Sequence, residues 1–350
     1  MRFVSLSALL VALAACSSTT TTDAAANDAT TNDAPMDAGS DPMAACTTIA
    51  TSRCAKIDQC SNGLGVTRAY GSMDVCVSRQ TANCLGTLMA PMTTATSAFE
   101  TACAAAITAE SCADYRSGIT PVACIAPPGP LANGMPCVAF GQCQSTVCLV
   151  PRNGQCGVCA PQPVAGDDCS VISGCDRDLF CNHNITTGSY TCRALVPMGG
   201  TCDIDHPCGA DLGCVRASGT AASGTCQPLG TSVGAACNDL NVGMATCDAN
   251  QGLFCNGTSQ CAMTTTAAAG AACGPMSMRS SDAVCTGGAS CPTVTAGTAR
   301  TCLAPAMDGQ PCDTSAGPGC IAPSRCVLSA SGADAGTMGT CQVFNPTACH

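Results

Sequence analysis

Thirty-five of the 350 residues are cysteine, and they are the residues whose chemistry the chain most needs explained. Cysteine can ligate metal, shuttle electrons, attack a carbonyl or close a disulfide. Zinc sites favour pairs two to four residues apart, and only Cys156 and Cys159 are so spaced, with no second pair nearby in sequence. A redox role for that C-x-x-C needs a thioredoxin-like βαβ setting, which the surrounding Gly- and Pro-rich sequence does not offer. The histidines are His183, His206 and His350, scattered through loops and the chain end, so no triad or His-rich metal site is expected. Asp203 and Asp205 beside His206 are the nearest approach to a calcium motif, but too few oxygen ligands accompany them for a cage. Glu100 and Glu110, the two glutamates, read as helix surface. Asn184-Ile185-Thr186 and Asn256-Gly257-Thr258 match glycosylation sequons and read as chance matches. No catalytic, cofactor-binding or metal residues are assigned, and a non-enzymatic protein is expected.

Disulfides remain, and composition favours them. Cysteine at a tenth of a chain marks a disulfide scaffold, and such bridges persist outside the cytosol. There is no Trp, with 6 Phe and 3 Tyr, so a large aromatic-aliphatic core is not available. Each short bridged loop instead stabilises by roughly 3 kcal/mol. The net charge of −10 includes a single lysine, Lys56. This excludes a basic nucleic-acid-binding face.

The odd cysteine has its own explanation. Arg2 is followed by an apolar run from Phe3 to Leu13, and Leu13-Ala14-Ala15-Cys16 closes it. The run is too short to span a bilayer and fits a cleaved signal over residues 1–15. It resembles a bacterial lipoprotein leader, which implies a lipidated Cys16 as first mature residue and attachment to the membrane. Ser17 in the next position implies, by the same resemblance, sorting to the outer membrane. Ordinary cleavage after Ala14 is the competing reading and would leave Cys16 an unpaired thiol. The other 34 cysteines suffice for 17 disulfides. Residues 16–45 read as the lipidated Cys16 and a disordered Ser/Thr/Ala/Asp tether, with a reach of roughly 30 Å.

Two architectures must position the remaining cysteines. Residues 46–126 read as a helical eight-cysteine domain. Cys46, Ile49, Ala50, Cys54 and Ile57 share one helical face. Met73, Cys76, Val77, Gln80 and Cys84 share another, capped by Ser72. Phe99, Cys103, Ala106 and Ile107 share a third, opened by a Ser97/Glu100 capping box. A short fourth helix starts at Ser111, with Asp114 as its capping partner. An irregular domain whose alanines mimic helix is the competing reading. Pro127, Pro128 and Pro130 then mark a boundary.

Residues 127–350 read as a repeat array with units starting near 134, 166, 199, 234, 270 and 309. A glycine stands three residues before the first cysteine of each unit, as in Gly166/Cys169 and Gly199/Cys202. Its recurrence predicts a turn of positive φ. Short loops predict small hairpin-and-loop knots. First-to-third and second-to-fourth pairing is favoured among the three possible pairings. Cys159 and Cys349 are left over, either to pair with each other or to rearrange their local units. Units so small share little core, so they are expected to be semi-independent of one another and of the helices.

Cys137, Cys143, Cys148, Cys156 and Cys159 resemble the start of the Dickkopf N-terminal cysteine-rich domain. Asp178-Leu179-Phe180-Cys181 and Gly252-Leu253-Phe254-Cys255 are similar to its segment of Gly, an aromatic and Cys. Strings of such units occur in bacterial Cys-rich lipoproteins, and the likeness spans roughly residues 131–349 in spacing alone. It implies a small disulfide-rich fold and carries no functional residue across. The function expected is that of a lipid-anchored envelope protein with a structural, adhesive or ligand-binding role toward a protein or glycan. An extracellular protease inhibitor built on small disulfide units is the alternative.

Overall fold

The computed structural model describes residues 41–350, apart from 152–153, 171–174, 177–178, 185, 275–282, 293–299, 329–335, 344, 348 and 350. The leader, Cys16 and most of the tether therefore lie outside the described residues. The chain divides into Met1–Ala38 and a compact unit, Gly39–His350. That unit is rich in disulfides, with a few helices followed by many short strands in small sheets.

Helix α1 spans Pro42–Cys60, α2 Leu64–Ala69, α3 Met73–Leu88, α4 Ser97–Ala109 and α5 Cys112–Arg116. The first begins inside the segment assigned to the tether: Asp41 caps it by accepting from the Met43 amide, and Pro42 fills the first turn. Ser72 caps α3 and Ser111 caps α5, as expected. The cap of α4 is Thr96, one residue before the expected Ser97. Thr96 has the extended backbone (φ −127°, ψ 163°) that lets its hydroxyl accept from the Phe99 amide. The short α2 was not anticipated, because six residues are too few to display a helical period.

Cys46, Ile49, Cys84, Cys103, Ala104 and Ile107 form the largest apolar cluster of the helices. The bridges Cys46–Cys84 and Cys54–Cys76 staple α1 to α3; Cys60–Cys112 ties α1 to α5, and Cys103–Cys124 anchors α4 to the following turn. Lys56 is buried, and its Nζ donates to Gln59 Oε1 and to the carbonyls of Thr108 and Glu110. The one ammonium in the chain thus satisfies the C-terminal carbonyls of α4, where the helix dipole favours positive charge.

The later cysteines pair in crossed quartets. In 169/175/181/192 the bridges are Cys169–Cys181 and Cys175–Cys192. The same first-to-third and second-to-fourth crossing occurs in 202/208/214/226, 237/247/255/261, 273/285/291/302 and 312/320/326/341. The leading glycines Gly134, Gly166, Gly199, Gly234, Gly270 and Gly309 all have φ between 79° and 93°. Each amide donates to the carbonyl of its unit's last cysteine, as from Gly199 to Cys226 at 2.8 Å. That cysteine's amide returns a bond to the residue after the glycine, as from Cys226 to Gly200 O at 2.9 Å. Two hydrogen bonds therefore close each unit head to tail, and the positive φ is what turns the amide inward.

The leftover cysteine is Cys156, not Cys159. Cys159 closes the first quartet by pairing with Cys143, alongside Cys137–Cys148, and Cys156 bonds Cys349 across 193 residues. A sequence marker agrees with this assignment. Gly157, Gly224 and Gly339 each stand two residues before a fourth cysteine and pair with the first cysteine of the unit. A Cβ at these positions would lie 2.4–2.5 Å from Leu149 O, Val215 O or Val327 O of the next strand. Those units form three-stranded sheets; the units with Tyr190, Ser259 or Arg300 at that place form two-stranded ones.

The units are not a free string. Thr94 accepts no gap between helices and array: its amide and hydroxyl both donate to Gly141 O, and its hydroxyl also reaches Pro127 O. Gln142 Nε2 donates to Pro91 O at 2.6 Å. Arg116 of α5 pairs with Asp211 at 2.6 Å. The Gly287 and Gly288 amides donate to the carbonyls of Thr67 and Arg68 on α2. Arg79 of α3 grips Asp308 with both terminal nitrogens and also bonds Ser324 Oγ and the carbonyls of Ile321 and Ala322. The proline-rich segment is thus tied at Pro127 O to the loop between α3 and α4, with its prolines exposed. Backbone and arginine contacts, rather than shared apolar core, join the units to the helices.

Candidate functional site

Several polar residues singled out in sequence converge, but on structural tasks. Asp203 Oδ1 accepts from the Asp205 and His206 amides and meets His206 Nδ1 at 2.8 Å. The His206 hydrogen bond holds the half-buried Asp203 carboxyl below its ordinary value. Asn182 and Asn184 reach from the preceding unit to Ile204 O and Asp205 Oδ1. Strand alternation turns His183 to the opposite face, where it stacks on Tyr190 with ring centroids 4.2 Å apart. His183 and His206 therefore do not share a site. The cluster is a junction between two units, with its carboxylates occupied by amides. Asn184 is buried and spends its side chain on this junction, and Asn256 caps a tight turn, so both sequons have structural employment.

Glu100 corrects the surface reading. It is 4% exposed, its Oε2 has no hydrogen-bond partner, and burial pushes its carboxyl up against the smaller opposing pull of Arg53. Asp248 is likewise buried and raised by burial, with its Oδ1 capping a turn at the Asn250 amide. Asp248 lies near enough to Arg116 and Asp211 for their opposing charges to act on it.

Triples of sulfur such as Cys137, Cys143 and Cys148 lie within 4.8 Å, close enough to suggest a metal centre. Each of these sulfurs is bonded to another, and the proximity is the crossing of two bridges. Cys156 and Cys159 likewise enter different bridges, so the C-x-x-C is not a dithiol pair.

Among the described residues a shallow concavity lies at the seam where the array's two ends meet. Asn83, Val138, Gln155, Arg325, Gln342 and Val343 contribute to a cleft of about 260 Å³. The seam is held by Cys156–Cys349, by a Gln155–Gln342 side-chain bond and by Arg325 donating to Pro151 O. The lining offers amides, one guanidinium and small apolar patches. Such a set can hydrogen-bond an amide, hydroxyl or carboxylate group, and it contains no acid-base pair. Sequence reasoning missed this site because its residues range from position 83 to 343, with no local motif. The chain matches no family model, no curated protein and no solved structure.

Proposed function

We propose that the chain is a lipid-anchored cell-envelope protein with a non-catalytic structural, adhesive or ligand-binding role. Its finer architecture is an α-helical disulfide domain carrying an array of six cysteine-stapled hairpin units, joined to the lipid by the Ser/Thr/Ala/Asp segment that follows Cys16. The observation that carries the reading is cysteine accounting. All 34 cysteines from Cys46 onward are disulfide-bonded, which leaves Cys16 of the 35 without an intramolecular partner. Seventeen bridges suit an oxidising compartment, and a cysteine placed at the end of an apolar leader suits lipidation. Ser17 supports outer-membrane sorting. No helix among the described residues is long and apolar enough to cross a membrane. The seam cleft, lined by amides, a guanidinium and small apolar patches, is what supports a binding role toward a protein or glycan. The acidic charge argues against nucleic acid.

Metabolic labelling with a fatty acid tests the anchor. The wild-type protein takes up label and partitions with membranes; Cys16→Ser does neither. A labelled Cys16→Ser protein overturns the proposal.

A further inference from the structure

Methionine is ordinarily among the residues most often buried. In this chain the rule is inverted. All ten methionines among the described residues are exposed, from Met73 at 37% to Met89 at 70%. Scarcity of core does not account for it. Of the thirteen leucines among the described residues, similar in size and apolarity, Leu240 alone is in that exposed class. The core takes leucine, isoleucine, valine and cystine, and leaves the thioethers outside. They are spread over the molecule, on α1 (Met43), on the turn after α3 (Met89 and Met92) and on unit-leading turns (Met135, Met198, Met307).

The chemistry of the remaining side chains sharpens this. Thiols would outcompete thioethers for oxidant, but every described cysteine is already a disulfide. There is no Trp in the chain, and Tyr70 is buried. Exposed thioether sulfur is therefore the principal group left to react with a two-electron oxidant. Conversion of methionine to its sulfoxide damages proteins mainly by placing a polar group in a core. Here no described methionine is in a core, and the framework is held by bridges whose sulfur is already at the disulfide level.

We infer that the exposed methionines are a modification surface: a sink for two-electron oxidants such as hypochlorous acid or hydrogen peroxide. At each site the thioether sulfur gains one oxygen as the sulfoxide. Hypochlorous acid is reduced to chloride with release of a proton, or peroxide to water. The sulfoxides are the form that methionine sulfoxide reductases return to thioether. This goes beyond the anchored-scaffold reading and does not depend on the lipid.

The test titrates the full-length, disulfide-intact protein with hypochlorous acid. Intact mass should rise in steps of about 16 Da per oxygen until all ten described methionines are sulfoxides by peptide mapping, with the thermal midpoint and the disulfide map unchanged. Protection of several of the ten, or loss of the melting transition as they oxidise, overturns the inference. For the cellular role, a variant with all ten replaced by Leu is compared with wild type in cells challenged with hypochlorous acid. A parallel ten-site Met→Gln variant is included should the leucines impair folding. Survival should fall below wild type in whichever variant keeps the disulfide map, since the sink is gone. Survival equal to wild type overturns the role as a sink.

Discussion

Removing the seam bridge tests how the array and helices act together. Replacing Cys156 and Cys349 by serine leaves no unpaired thiol and deletes the bond that joins the ends of the array. The enclosed segment is 193 residues, and the shortest path through the other bridges is about 110 residues; the chain-entropy relation gives about 5 kcal/mol for either length. The bridge Cys208–Cys226, with a separation of 18 residues, gives about 3 kcal/mol by the same relation. The seam bridge should therefore matter more than one inside a unit, although Cys156 is exposed and buries little around it. For a chain of this size that corresponds to a fall in thermal midpoint of up to about 10 °C. Differential scanning calorimetry measures it, with Cys208→Ser/Cys226→Ser as comparison. Limited proteolysis should show new cuts both near residue 156 and after residue 341. A midpoint unchanged within about 1 °C, with no new cleavage, would refute the claim that this bond latches the array.

Four further substitutions read single residues. Gly199→Ala should cost about 1–2 kcal/mol, because its φ of 80° disfavours a Cβ although the space around it is open. Gly224→Ala should cost more, since its Cβ would lie 2.5 Å from Val215 O; chemical denaturation of the two variants gives the order, and the reverse order contradicts the three-stranded packing. Glu100→Gln should raise the thermal midpoint at neutral pH. Burial raises the folded-state carboxyl above its unfolded value, so its contribution is present in acid and is lost as pH rises through that raised value. The gain should vanish in acid, and a midpoint lowered at neutral pH would mean the charge is compensated. Arg79→Met should cost about 2–3 kcal/mol by breaking the grip on Asp308, Ser324 and two carbonyls. Arg79 holds Asp308 below its ordinary value, so the pair's contribution stands at neutral pH and fades as pH falls through the depressed carboxyl value. Urea unfolding at neutral and acid pH should show the wild-type advantage shrinking in acid; an advantage that grows there would contradict the pairing.

Much of the local structure was legible because it is fixed over short distances. The leading glycines announced their positive φ through recurrence, and loops of a dozen residues admitted the crossed pairing. Ser72 and Ser111 declared two helix starts, while Thr96 and Ser97 offered adjacent hydroxyls that backbone conformation alone separates. The misassigned cysteine had a signal: Gly157 before Cys159 matches Gly224 before Cys226 and Gly339 before Cys341. The docking of the array was not legible. Arg79 and Asp308 are 229 residues apart, and Arg116 and Asp211 belong to unlike segments, so neither pair leaves a periodic trace. The seam cleft shares that origin. Glu100 was misjudged because a glutamate in the first turn of a helix is ordinarily solvated, and only the packing of α1 against α4 buries it.

The proposed division of the cysteines is 34 in structural bridges and Cys16 carrying the lipid. Alkylation of the mature protein under denaturing conditions, before and after reduction, tests it directly when read by mass with the N-terminal peptide resolved. The account predicts no alkylation before reduction, 34 groups after it, and a Cys16 peptide that bears acyl chains and never takes the reagent. Reactive thiols before reduction, or a Cys16 that alkylates, would contradict it.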